Sequence, residues 1–177
     1  WRTMPNCLGS ITVASPFAIS VPAGAAAAVK ETCARLNLEL PEIHMEPGRS
    51  IVADAGMTLY TVGTLKKIPG YKNYVSIDGS MCDHIRYALY GSAYTCLLAN
   101  KMDEECNFEA YVVGRCCESG DIIQEHVMLP ESVKRYDTLA VCTTGAYHYS
   151  MASNYNRVPR PPVVTVEQGT VRVAVRR

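Results

Sequence analysis

The 177-residue sequence has no excess of charge: 17 basic residues are matched by 17 acidic ones, with a pI near 7.0. That balance argues against a nucleic-acid surface, which needs clustered positive charge. No uninterrupted apolar run approaches the ~20 residues needed to span a bilayer, so no membrane segment is expected. The eight cysteines include no C-x-x-C pair. Cys82 and His84 are the only close Cys/His pair, with no second pair at zinc-site spacing, so no metal site is expected. Arg2 and the mixed apolar stretch from Ile11 to Ala28 resemble a poor secretion leader, but Ser15, Pro16, Ser20 and Pro22 interrupt it and its basic region is a single residue, so none is expected. The thiols are therefore expected to be free and mostly packed as small hydrophobes, in a cytoplasmic protein. There is no internal repeat, and no low-complexity segment beyond the alanines at 25–28.

What is present is a hydrophobic content of 48%, enough for a sizeable core. Residues 25–38 predict a helix: Val29, Cys33 and Leu36 recur at helical spacing, and Glu31 can pair with Arg35 one turn on. Pro41 ends it. Glu42-Ile43-His44-Met45 then predicts a short strand, closing one helix–strand unit of an α/β architecture. Beyond Ser50 the pattern changes to short runs rich in β-branched and aromatic residues. They are Thr58–Val62, Tyr74–Ile77, Tyr111–Val113, Ile122–Ile123, Leu139–Cys142 and Val163–Val166. Val166 to Val171, around Gln168-Gly169, predicts a closing hairpin. Many short strands with Gly, Pro and Asp punctuation predict an antiparallel barrel or sandwich. Ala146 to Asn154 interrupts them with helical spacing, and Pro159, Pro161 and Pro162 follow as an extended connector.

Four polar clusters lie between these elements: Glu46-Pro47-Gly48-Arg49, Asp78 to Tyr90, Cys117-Glu118-Ser119-Gly120-Asp121, and Gly145 to Asn156. The third belongs to a run from Gly114 that sets two thiols beside carboxylates. Buried polar groups need partners, so such a run suits a loop that presents side chains.

In this order, the clusters resemble those of the diaminopimelate decarboxylases, from about Ala26 to the C-terminus. These enzymes belong to the pyridoxal-phosphate decarboxylases built like alanine racemase. Glu-Pro-Gly-Arg is shared across related decarboxylases. Cys-Glu-Ser-Gly-Asp with Gly-Ala-Tyr…Ser-Met-Ala-Ser-Asn-Tyr-Asn points to this branch. The resemblance implies an α/β tail of a TIM-type barrel followed by a mostly antiparallel β-barrel or sandwich domain. Residues 1–50 would be the barrel remnant, with 1–24 unassigned. Residues 51–177 would be the β domain, in which 144–156 returns to the active site as a helical segment.

The implied reaction converts meso-diaminopimelate to L-lysine and carbon dioxide with pyridoxal 5'-phosphate as cofactor. By resemblance, Glu46, Pro47, Gly48, Arg49 and Tyr147 bind the cofactor. In that assignment Glu46 keeps the pyridine nitrogen protonated, which strengthens the electron sink. Arg49, Arg86, Tyr90, Glu118 and Tyr147 would bind substrate, Glu118 meeting its distal ammonium. Cys117 would be the acid that reprotonates the α-carbon. Cys116 is its rival, and only the family register selects Cys117. His44, His84, His126 and His148 match no catalytic position and are expected to be surface or packing residues.

The resemblance also implies a homodimer in which the Cys117–Glu118 loop works in the partner's site. None of Lys30, Lys66, Lys67, Lys72, Lys101 and Lys134 lies in the context of the lysine that carries the cofactor. The glycine-rich phosphate loop is absent too. The chain is therefore expected to be a C-terminal part, inactive by itself, with apolar faces left exposed. An ornithine- or arginine-type decarboxylase, and a non-catalytic remnant binding a partner through its β domain, are the alternatives.

Overall fold

A computed structural model describes residues 17–177, and side chains from residue 23 onward. The segment 1–24, left unassigned by the sequence, lies mostly outside the described residues. Helix α1 (Phe17–Leu36) reaches back into it. Of the side chains described in α1, Cys33 is buried and most others are exposed. The chain then runs irregularly to α2 (Arg49–Val52). The strand expected at Glu42–Met45 does not form. A strand needs a neighbour to complete its backbone ladder, and no described strand pairs with this segment. Leu36, Leu38, Leu40, Ile43 and Met45 accordingly stand exposed, the uncovered apolar face expected for this part of the chain.

The rest is built on a six-stranded sheet ordered β3-β6-β1-β2-β4-β5. Its strands are β1 (Met57–Lys67), β2 (Asn73–Ile77), β3 (Cys96–Leu98), β4 (Cys106–Val113), β5 (Ile122–Pro130) and β6 (Thr138–Cys142). The outer strands β3 and β5 approach each other. The Tyr94 amide, just before β3, donates to the Gln124 side chain of β5 at 2.8 Å, so the sheet is nearly closed. Inward residues of successive strands fill the barrel: Val62 of β1, Val75 of β2, Ala110 and Val112 of β4, Ile123 and Leu129 of β5, and Leu139 and Val141 of β6. Alternation along β1 and β2 puts these on one face and more exposed residues on the other, while β4 and β6 also bury Tyr111 and Ala140 between inward neighbours.

Two expectations need correction here. The sheet is mixed, because β2 and β4 pair in parallel, Val75 facing Val112. The return segment 144–156 is not an α-helix but two 3-10 turns, Tyr149–Met151 and Tyr155–Arg157, separated by extended Ala152. Positive φ at Tyr147, Asn156 and Arg157 interrupts right-handed helix at both ends. Helix α3 (Arg86–Tyr90) was not anticipated. The hairpin was: β7 (Val163–Glu167) and β8 (Thr170–Val175) pair in their own two-stranded sheet, turning at Gln168 and Gly169.

Among the described residues, six cysteines carry free thiols, and Cys33, Cys82 and Cys96 of these are buried as expected. Cys106 departs from that expectation, being disulfide-bonded. No described helix is long and apolar enough to cross a membrane, and no described cluster of His, Cys, Asp or Glu is placed to hold a metal.

Candidate active site

Two polar clusters far apart in sequence are fastened together through bare backbone. Gly145 donates its amide to the Ala53 carbonyl at 2.9 Å, and Thr144 donates to Gly56 at 2.9 Å. A side chain on Gly145 would run into the Val52 carbonyl, so this close approach requires glycine. The junction holds the Gly48–Arg49 turn against Tyr147. A side chain at Gly48 would overlap the Tyr147 hydroxyl.

Four of the expected site residues then stack. The Arg49 guanidinium carbon lies 5.7 Å from the centre of the Tyr147 ring. That of Arg86 lies 5.5 Å from the same ring and 4.9 Å from the Tyr90 ring. Arg86 and Tyr90 are on the short α3, four residues apart and so on one face. The cations and aromatic faces attract, and the guanidinium donors are left to meet an anion. Arg49 and Arg86 are half-buried, whereas Tyr90 and Tyr147 are exposed. Glu46 and Pro47 are exposed in the irregular segment before α2.

Cys117 and Glu118 take no part in these ring contacts. They are exposed on the loop joining β4 to β5. Buried Asp121 shapes that loop. Its carboxylate accepts from the Cys116 amide at 2.7 Å and from the Met81 amide, in the turn after β2, at 2.6 Å. Arg115 donates its amide to Gly79 at 3.2 Å, a second tie to the same turn. The Glu118 carboxylate accepts from the Gly120 amide at 3.2 Å and the Ser119 hydroxyl at 3.3 Å. Its charge is the foremost influence raising the Tyr155 phenol, so Glu118 sits near the second 3-10 turn. The structure thus gives one Arg–Tyr stack and one thiol–carboxylate loop.

A layer of buried rings lies beneath Arg86, and of it the sequence singled out neither Tyr94 nor the place of the two histidines under the site. His84 and His148 are buried with ring centres 4.7 Å apart, and Tyr94 packs edge-on against both, at 4.7 Å and 5.0 Å. They are packing residues, as expected, but packed under the site. The His148 Nδ1–H donates to the Ala146 carbonyl at 3.0 Å. Both nitrogens of His84, Nε2 of His148, Nε of Arg86 and the Tyr94 hydroxyl are buried with no protein partner. Burial chiefly, then His148 and Arg86, pulls the His84 imidazole down to about 3. Burial likewise lowers His148, against the Ala146 hydrogen bond, with Arg86 and Arg49 adding to the lowering. Adjacency was the available signal: His84 precedes Arg86 by two residues and His148 follows Tyr147.

Asp83 was also unassigned. Buried against β1, it accepts from the Tyr60 hydroxyl at 2.5 Å and the Ser80 amide at 2.9 Å, fixing the turn that leads into α3. Burial raises its carboxyl despite both hydrogen bonds.

Residues 13–145 match the family described as pyridoxal-dependent decarboxylase, C-terminal sheet domain. Over 150 residues the chain is 53% identical to the diaminopimelate decarboxylases of Staphylococcus aureus and Bacillus subtilis, covering 85% of this chain but only 35% and 34% of theirs. It therefore spans about a third of the length of the curated relatives it matches. The crystal structure of diaminopimelate decarboxylase from M. jannaschii in complex with L-lysine superposes with a TM-score of 0.68 at 31% identity, over 84% of this chain and 34% of that one. The chain belongs to the pyridoxal-dependent decarboxylase family, of which it carries the C-terminal sheet domain.

Proposed function

We propose that this chain is the C-terminal part of a diaminopimelate decarboxylase, which removes carbon dioxide from meso-diaminopimelate to leave L-lysine. The observation that carries the reading is the stack of Arg49, Tyr147, Arg86 and Tyr90, in a chain 53% identical to enzymes of that name. The residues suit pyridoxal 5'-phosphate. The Gly48 backbone lies against the Tyr147 hydroxyl, and Arg49 stands over the same ring, a donor set matched to a phosphate dianion. When bound, the cofactor takes up the electron pair left as carbon dioxide departs.

The chain's own residues would do the rest. Glu46 holds the pyridine nitrogen protonated. Arg86 binds a substrate carboxylate, its guanidinium oriented between the Tyr90 and Tyr147 rings. Glu118 meets the distal ammonium, and once the loop is buried against a second subunit a substrate lacking a second amino-acid head would leave that carboxylate buried and unpaired. Cys117 delivers a proton from its thiol to the α-carbon. Its exposed loop would reach the site of a second subunit, so the working form is a homodimer in the cytoplasm. Residues 1–50 would complete a TIM-type barrel supplied largely by further chain.

The test joins residues 26–177 to the barrel portion of the Bacillus subtilis relative. Purified with pyridoxal phosphate, the graft should form lysine from diaminopimelate and leave ornithine and arginine untouched. A well-folded, cofactor-loaded graft that prefers ornithine or arginine would overturn the substrate assignment. One that decarboxylates nothing would favour a non-catalytic remnant.

A further inference from the structure

Two cysteines that the decarboxylase reading leaves without a role are in contact. The Sγ atoms of Cys82 and Cys116 lie 3.3 Å apart, although the residues are 34 positions apart in sequence. Their backbones are held by the same group, since the Asp121 carboxylate accepts from Met81, next to Cys82, and from Cys116 itself. Cys82 is fixed further. Its amide donates to the Ser80 hydroxyl at 3.2 Å, its carbonyl accepts from Ser153 at 2.8 Å, and its thiol donates to the Tyr155 carbonyl at 3.3 Å. A disulfide needs an S–S distance of about 2.05 Å, so closing this gap takes a sulfur displacement of about 1.2 Å, within reach of small side-chain rotations.

We propose that Cys82 and Cys116 form an oxidation site, converted by a hydroperoxide into an intrachain disulfide that staples the Cys117 loop to the turn after β2. Cys116 is half-exposed and reacts first. Its thiolate attacks one peroxide oxygen, the O–O bond breaks, and Cys116 becomes a sulfenic acid as hydroxide leaves. The Cys82 sulfur, 3 % exposed, then attacks the Cys116 sulfur. The S–S bond forms, the S–O bond breaks, and the hydroxyl departs with the Cys82 proton as water. In sum, two thiols lose two electrons and two protons, and hydrogen peroxide becomes two waters. Burial is the main reason the Cys82 thiol stays protonated, so it waits as the resolving partner. Cys117 remains a free thiol, while a thiol reductant reopens the staple.

Treating the full chain with hydrogen peroxide, blocking remaining thiols with N-ethylmaleimide and digesting with trypsin without reduction tests this by mass spectrometry. The expected product is peptide 73–86 joined to peptide 116–134, with Cys117 alkylated and the link released by dithiothreitol. It should vanish in Cys82→Ser and Cys116→Ser and persist in Cys117→Ser. Should Cys82→Ser fail to fold, the wild-type map and Cys116→Ser decide. The proposal is overturned if Cys82 stays alkylated while Cys116 is over-oxidised, joined to Cys117 or joined to another molecule. It is equally overturned if the link survives Cys116→Ser and is lost in Cys117→Ser. The readout is a covalent mass and involves no catalysis, so it stands or falls apart from the decarboxylase reading.

Discussion

Mild acid should weaken this fold through His84. In the folded chain its imidazole is pulled down to about 3, against an ordinary value of 6.5. Between those values the unfolded chain binds the proton and the folded chain does not, so acid favours unfolding. The stability is whole above the ordinary value and is lost as pH falls below it. From 6.5 down to about pH 5 is ~1.5 units at ~1.36 kcal/mol each, or about 2 kcal/mol. His84 is fully buried, so solvent screens little of this. Neither ring nitrogen has a protein partner, so His84→Leu should cost little near pH 7.5 while abolishing the term. Urea unfolding of both full chains, followed by circular dichroism at several pH values, should show the wild type losing about 2 kcal/mol more than the variant on acidification to about pH 5. His148 acts in the same direction in both proteins and cancels in the comparison. Parallel pH curves would refute the reasoning.

Lys101 and Asp137 allow two further checks. The Lys101 ammonium pairs with the buried Asp137 carboxylate at 2.8 Å, and Lys101→Met should cost about 2 kcal/mol in urea unfolding by removing that charged partner while the Asn100 and Lys134 donors stay in place. Burial by itself would raise the Asp137 carboxyl, but hydrogen bonds from Lys101, Asn100 and the Lys134 amide, with the Lys101 charge, outweigh it and set it below its ordinary range. Its stabilising contribution is therefore present above the ordinary carboxylate pKa of about 3.9 and is lost as pH falls through the folded value. Acid titration of Asp137→Asn should lack that loss.

The legibility of this chain followed the range of the forces involved. Val75 and Ile77 announced β2 because inward and outward residues alternate locally, whereas Tyr60 and Val62 announced β1 through β-branched and aromatic composition and Leu139–Cys142 announced β6 as a short apolar run. The hairpin showed through its Gln-Gly turn. Strand β3 is only Cys96–Leu98, too short for a period, and its pairing with β6 is set by the barrel. The parallel β2–β4 pair is likewise a matter of closure, not of either strand's residues. At Glu42–Met45 a strand-like composition had no partner. In 144–156, helical spacing was overruled by positive φ at Tyr147. The site motifs were readable as a resemblance. The work of Asp121, His84 and His148 was not, because the Asp121–Met81 and His84–His148 contacts join residues 40 or more positions apart in the chain.

The sulfur of Cys117 is the proposed proton donor, and the graft with the Bacillus subtilis barrel can test it by single substitutions. Cys117→Ala should cut lysine formation by at least about a hundredfold, the ordinary scale of a lost general acid, while the bound-cofactor absorbance stays intact. Cys116→Ala should retain most of its turnover under reducing conditions. Full turnover without the Cys117 thiol, or its loss without that of Cys116 alone, would contradict the assignment.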